Sequence, residues 1–514
     1  MTISLVALWK QDTALNSYIF CLFLIGLPFT IFATYVIYQL QVVGYLIGTD
    51  ADGQPCIDYC LVPFGGQELD LNSAILYLNA MGFGLGGACS VLISAYADFW
   101  KNKSVLVTLL IICYGAISVP VYWLKDISLS AFNSLMALYV VYAVITYILS
   151  ALLCMYIPHC MRAAKHKPPL NLSGTQQTLN KITMLSIEVK IANNELEDET
   201  KIVKPITHRK YGLKMSILGG IGTTVGGILA LVLVIILSQT LSGESGQTAG
   251  LLITTVFGFV TILGSVIAYL GLPVVSAKES QNWKVWWLEL FTPFRDLLHR
   301  KNMLVLLLSY TIYTDTVFAL NSVTAQLYFT EIKPDTLEYS LYAMSGNIFI
   351  FICSSAFYVL QIWRPPFKLE YWLVLGYALI LVVPIWGCIG LGDNINFGFK
   401  KRWEFYVQSL IFNLSGSIVN PTFRVLFSEL VPKGSEIEWF GLQVVLSCAT
   451  AWVSYITNAP LQNATHQLRF PLVLCLIFLI VPIVLEVIRS TVTLFARDKL
   501  LWQEHDVIAS SAHV

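Results

Sequence analysis

Long apolar runs alternate with short polar breaks along nearly the whole of this chain. A helix rising about 1.5 Å per residue needs about 20 mostly apolar residues to cross a hydrocarbon core. Twelve segments meet that length, at about 17–40, 73–97, 104–124, 130–157, 215–238, 249–271, 303–326, 340–361, 371–391, 404–427, 438–458 and 470–488. The segments at 404–427 and 438–458 are the most polar of them. The pattern predicts an all-α integral membrane protein. Helices one to four fill 1–157, a polar linker 158–214, helices five and six 215–271, a connector 272–302, helices seven to twelve 303–488, and a tail 489–514.

The breaks carry their own signals. Between helices ten and eleven, Pro432 lacks a donor and Gly434 tolerates positive φ, so the chain reverses in a tight charged hairpin. The linker holds the acidic run Glu195–Glu199 and predicts a polar, poorly ordered segment. The connector interleaves Trp283, Trp286, Trp287, Phe291 and Phe294 with Lys284, Glu289, Arg295 and Arg300, the pattern of an amphipathic helix on a membrane surface. Glycines four apart, Gly82–Gly86 and Gly222–Gly226, let helix backbones touch, either as static packing or as a sliding interface.

Charge sets the orientation. With the N-terminus cytosolic, 25 of the 31 Lys and Arg residues fall on the cytosolic side, and six (Lys125, Lys333, Lys400, Lys401, Arg402 and Arg469) fall outside. The positive-inside rule therefore puts both termini in the cytosol, with Lys400–Arg402 as the one local conflict. Of the Asn-x-Ser/Thr acceptors at Asn102, Asn171 and Asn463, only Asn463 then lies outside. The first outer loop, 47–72, carries five acids and no Lys or Arg, with Cys56 and Cys60 either bridged or two separate thiols.

Composition narrows the function. The chain is 56% apolar and 12% charged, against about 25% charged in soluble domains. Its net charge of zero argues against nucleic acid as a partner. All seven His lie outside the apolar runs, and there is no P-loop sequence, so no metal or other cofactor is expected and an enzyme is disfavoured.

Asp315, in the middle of helix seven, is the most expensive residue in the apolar runs. A carboxylate there costs about 2.5–3.5 kcal/mol on insertion scales and must face a cavity or a partner. It is either a hydrogen-bonded strut or part of a substrate or ion pathway. Thr311 and Asn321 on the same helix, Gln408, Ser417 and Asn420 on helix ten, and Asn79 on helix two complete that candidate pathway.

The stretch RVLFSELVPKGSEIEWFGL (424–442) resembles a pattern of the autophagy-related vacuolar amino-acid effluxers of fungi, a branch of the major facilitator superfamily. Ser428, Glu429, Pro432, Lys433, Gly434, Glu436, Trp439 and Phe440 fit it. The loop 95–103 is similar to a degenerate form of the superfamily's cytosolic gate motif, with Asp98 as its acid and Lys101 and Lys103 keeping its positive charge. The family's aromatic Gly-Trp-Tyr signature is absent from helix one. The resemblance implies a twelve-helix facilitator bundle of two six-helix halves, with helices one, four, seven and ten around a central cavity. It implies a multi-pass vacuolar-membrane protein that exports amino acids to the cytosol by alternating access. Protons are the candidate coupling ion, and neutral, apolar amino acids the candidate substrates. Glu429 or Glu436 is expected to pair across the gate with Arg424, Lys433 or Lys368. The alternative is a facilitator-fold receptor or scaffold that does not transport.

Overall fold

The computed structural model describes residues 12–50, 54, 56, 60–166, 196–241, 248–275, 292–334, 336–363, 368–392, 396–432, 435–449 and 469–511. The helices, in chain order, are α1 (Thr13–Ile47), α2 (Leu71–Ala97), α3 (Lys103–Leu124), α4 (Leu129–Cys154), α5 (Leu196–Thr240), α6 (Ala249–Tyr269), α7 (Lys301–Ile332), α8 (Thr336–Trp363), α9 (Leu369–Ile389), α10 (Arg402–Leu430), α11 (described over 436–449) and α12 (Phe470–Ser511). Among the described residues, ten are long and apolar enough to cross a membrane. The other two are α10, whose 29 residues reach about 43 Å but carry many polar groups, and α11, described for 14 residues.

Two sets of six helices repeat one packing scheme. In the first set α1 packs on α6, α2 on α4 and α3 on α6; in the second, α7 packs on α12, α8 on α10 and α9 on α12. The sets meet along α5 and α8. They meet again along α2 and α11, where Gly87 faces Cys448 and Gly441 faces Ser94. Each of these contacts is the counterpart of the other under exchange of the halves.

The helix starts and breaks follow from sequence. Asp70 accepts the N–H of Ser73 at 3.1 Å to start α2, and Ser128 accepts that of Ala131 at 3.1 Å to start α4. Pro28 inside α1 has no N–H to give the Leu24 carbonyl. Buried Thr261 of α6 donates to that carbonyl instead, at 2.9 Å. A π-turn follows at Phe32–Val36, a local widening common near functional sites.

Several expected boundaries change. Helical backbone continues past α4 through Tyr156–His166, and α5 begins at Leu196, so helix fills much of the expected 158–214 linker. Acceptable helix formers and the fit of Gly212 against Met161 favour this over a polar loop. Likewise the tail beyond 488 continues α12 to Ser511. Of the connector, Thr292–His299 is a short helix and 276–291 lies outside the described residues. The segment 47–72, expected as an outer loop, departs from all-α. It folds into an antiparallel hairpin, β1 (Leu61–Phe64) on β2 (Gln67–Asp70), turned by Gly65 and Gly66 at positive φ. Cys56 and Cys60 are disulfide-bonded at its base.

Candidate functional site

The bundle has two faces. One carries the start of α1 and the end of α2, here the termini face. The other carries the β-hairpin, here the hairpin face. A cavity of about 470 Å³ occupies the centre of the hairpin-side half. Its wall comes from α1 (Phe32, Gln41), α2 (Asn79), α4 (Tyr139, Tyr142), α7 (Asn321, Gln326) and α8 (Tyr339), so both halves contribute. Among the described residues, the wall holds no Lys, Arg, Asp or Glu. Phe32 stacks on Tyr142 with centroids 3.6 Å apart, and Tyr142 on Tyr114 at 4.5 Å. Tyr139 donates to the Asn79 carbonyl at 2.7 Å, leaving the Asn79 amide N–H groups for a ligand.

The expected pathway residues separate into four places. Asn79 and Asn321 line the cavity. Asp315 lies six residues towards the termini face from Asn321, about 9 Å along α7, and is 5% exposed with Thr311 buried one turn further in. It sits within electrostatic reach of Cys448, and the adjacent Thr314 hydroxyl contacts that of Ser447 at 3.3 Å, so this part of α7 faces α11. Gln408 and Ser417 do not line the cavity. Gln408 accepts from Tyr342 at 3.4 Å and Ser417 from Ser354 at 3.0 Å, which ties α10 to α8 inside the second half. Asn420 accepts from Tyr310 of α7 at 3.1 Å. Sequence spacing could not tell which face of α10 meets α8.

The termini face is shut by charged contacts between the halves. Arg162, beyond α4, pairs with Glu436 of α11 and donates to the Val431 carbonyl at 2.8 Å. Arg209 of α5 grips Glu429 with two bonds, 2.6 and 2.8 Å, and lies 3.6 Å from Glu370 of α9. Asp98 takes Lys103 at 3.0 Å on one oxygen and the Glu438 N–H, in the first turn of α11, at 2.8 Å on the other. A carboxylate there offsets both an orphan donor and the positive end of the helix dipole. Burial raises the Asp98 carboxyl above its ordinary range, and Lys103 and the Glu438 N–H pull the other way.

These contacts correct the expected pairings. Glu429 and Glu436 are paired, but with Arg209 and Arg162 rather than with Arg424 or Lys368. Arg424 lies six residues inside the end of α10 and points to the bundle interior, beside Tyr18, Cys154 and Tyr310. Lys101 is exposed, and Lys433 and Asn463 lie outside the described residues. The signal for Arg162 and Arg209 was hidden because both fell in a segment read as linker. The glycine pairs also resolve. Gly82–Gly86 packs on Ala143 and Tyr147 of α4, and Gly222–Gly226 on Ile19 and Phe23 of α1. Both are close packing within one half; among the described residues, glycines that meet the other half include Gly87, Gly441 and Gly227, the last against Asn347 of α8.

On the hairpin face the described contacts between halves are neutral. The hydroxyls of Tyr35 and Ser340 meet at 2.6 Å, and the rings of Tyr38 and Tyr339 lie 6.3 Å apart. The ion pairs there, Arg469–Glu331 and Arg402–Glu338, stay within the second half. The arrangement is a cavity on one side and a charged seal on the other.

Comparison with known proteins agrees with this architecture. The human organic anion transporter MFSD10 (TETRAN) superposes with a TM-score of 0.59 at 13% identity, over 92% of this chain and 98% of that one. The major facilitator proton:xylose symporter XylE gives 0.60 at 10% identity, over 93% and 96%. Those likenesses show the major facilitator fold. In sequence, Autophagy-related protein 22 of Candida albicans is 25% identical over 482 residues, covering 90% of this chain and 86% of its own. Autophagy-related protein 22-2 of Emericella nidulans is 21% identical over 476 residues, covering 83% and 79%. Residues 13–492 match the family described as vacuole effluxer Atg22 like. This chain, a multi-pass membrane transporter of the major facilitator fold, belongs to that family.

Proposed function

We propose that the protein exports small neutral amino acids from the vacuole lumen to the cytosol by alternating access. The observation that carries the reading is the central cavity on the hairpin side, closed on the opposite side by ion pairs between two six-helix halves. The charge count assigns the hairpin face to the lumen, so the cavity lies on the side of the vacuolar contents. Its volume lies in the range of small-molecule sites. Amide, hydroxyl and aromatic groups with no fixed charge suit a zwitterion with an apolar side chain better than a sugar phosphate or polyanion. A cavity in the centre also speaks for transport over a scaffold that has lost it.

Transport then requires the halves to rock about α5–α8 and α2–α11. Opening to the cytosol breaks Arg162–Glu436, Arg209–Glu429 and the Asp98 cap on α11, while the hairpin ends close over the cavity. Asp315 lies between the cavity and the seal, a carboxylate that can hold either a proton or a substrate ammonium. Proton and substrate compete there, which is a coupling mechanism. Purified protein in proteoliposomes tests the reading by exchange of labelled leucine against a panel of amino acids. Exchange saturated by neutral amino acids supports it; empty-liposome rates for every one would remove it.

A further inference from the structure

Several interior charges among the described residues are matched. Lys103 pairs with Asp98, Arg489 with Glu486 at 2.8 Å, and Glu404 accepts the Lys400 N–H at 2.8 Å at the start of α10. Arg424 is different. Its electrostatic neighbours are Cys154, Tyr18 and Tyr310, all neutral near pH 7, and among the described residues its guanidinium makes no ion pair or hydrogen bond. It stands about 9 Å inside the end of α10. Tyr18, Cys154, Tyr310 and Arg424 belong to α1, α4, α7 and α10, two helices from each half, so the charge lies where the halves face each other.

The surroundings are ordered. Tyr310 stacks on Phe423 with centroids 3.5 Å apart and its hydroxyl is held by Asn420. Tyr18 meets Tyr156 edge-on at 6.4 Å. Phe423, Val425 and Phe427 beside Arg424 are fully buried, yet Arg424 itself is only half-buried. Its side chain is thus incompletely covered, among groups from α1, α4 and α7. An arginine kept in such a place without an acid is costly, and its planar fork fits a carboxylate with two parallel bonds. The seal of Arg162, Glu436 and Val431 covers it on the termini side. Asp315 lies five residues from Tyr310 on the cavity side, about 7.5 Å along α7.

We infer that Arg424 binds the carboxylate of the transported amino acid in the cytosol-facing state. The substrate leaves the lumen-side cavity, passes Asp315 with its ammonium, and seats its carboxylate in the Arg424 fork before release. Opening of the seal then hydrates the guanidinium and frees the product. This inference rests on the amino-acid reading above and names the group that recognises the acid end.

The test is a thermal-shift titration of purified full-length protein with L-leucine, isocaproate (its acid without the amine) and isoamylamine (the amine without the acid). Sodium chloride and phosphate at equal ionic strength serve as anion controls, and Arg424→Gln and Arg424→Lys as variants. Leucine and isocaproate should stabilise the wild type, and Arg424→Gln should weaken both by about tenfold to a hundredfold. Isoamylamine should act equally on both proteins. Arg424→Lys keeps the charge without the fork and should fall between, and it carries the test if Arg424→Gln does not fold. Wild-type carboxylate affinity in Arg424→Gln overturns the inference, as does an equal wild-type response to chloride or phosphate. Isocaproate binding that needs Arg424, in a protein that exchanges no amino acid, upholds the carboxylate site and removes the amino-acid reading.

Discussion

Substituting Arg162 by Gln should open the termini face. Arg162 contacts Glu436 and the Val431 carbonyl, both across the boundary between halves, so its loss bears on the sealed state and little on the folding of either half. Glu436 is 5% exposed, which places the pair nearer the buried than the surface case. Removing one partner of a fully buried pair costs about 3–5 kcal/mol, and an exposed pair contributes about 0–1. The Arg162 side chain keeps 22% of its surface, so we take about 1.5–3 kcal/mol for the sealed state. At about 1.4 kcal/mol per decade, the open population rises about tenfold to a hundredfold. Cys154 reports it. This thiol is buried, and its labelling by a maleimide from the termini face needs the halves to part. In a background with the other unbridged cysteines replaced, Arg162→Gln should speed labelling by that factor. Arg162→Glu with Glu436→Arg should restore part of the protection, since the charges reverse but the Val431 bond is lost. A wild-type labelling rate in well-folded Arg162→Gln would refute the seal.

Other outcomes follow from single sites. A Cβ at Gly441 would run into Ser94 across the α2–α11 contact, so Gly441→Val should cost about 1–3 kcal/mol in the sealed state and also raise Cys154 labelling. Gly220 has open space around it and Gly220→Ala should not. Asp315→Asn should keep substrate exchange and lose accumulation driven by a pH gradient, whereas unchanged gradient-driven uptake would make Asp315 a strut. A glycan at Asn463 alone fits the orientation, and one at Asn171 would reverse it, as read by mobility after deglycosylation.

Much of the fold was legible because lipid imposes one rule, that backbone polar groups bond within their own segment. Apolar runs of spanning length therefore locate α1 to α9 and α12 directly. The polar α10 is found by its length between Glu404 and Pro432 rather than by apolarity. The β-hairpin 61–70 escaped because its four-residue strands are too short for a period-two signal, although Gly65 and Gly66 mark the turn. The acids of the seal were legible and their partners were not. Glu429 and Glu436 stand in a recognisable motif, but Arg209 and Arg162 reach them from helix extensions that sequence polarity disguises as linker. Asn79 and Asn321 reach the cavity because α2 and α7 turn those faces inward, while Gln408 and Ser417 turn towards α8. Helical rotation about the axis is set by packing between helices, and one sequence alone does not contain it.

The central claim is that solute passes only when the seal on the termini face opens. Cysteines placed at both ends of that seal, Arg162→Cys with Glu436→Cys, allow it to be locked by oxidation and freed by reduction in proteoliposomes loaded with labelled leucine. Leucine exchange should stop on oxidation and return with dithiothreitol, with each single-cysteine variant insensitive to both. Exchange that continues at an unchanged rate with the crosslink complete would contradict alternating access through this path.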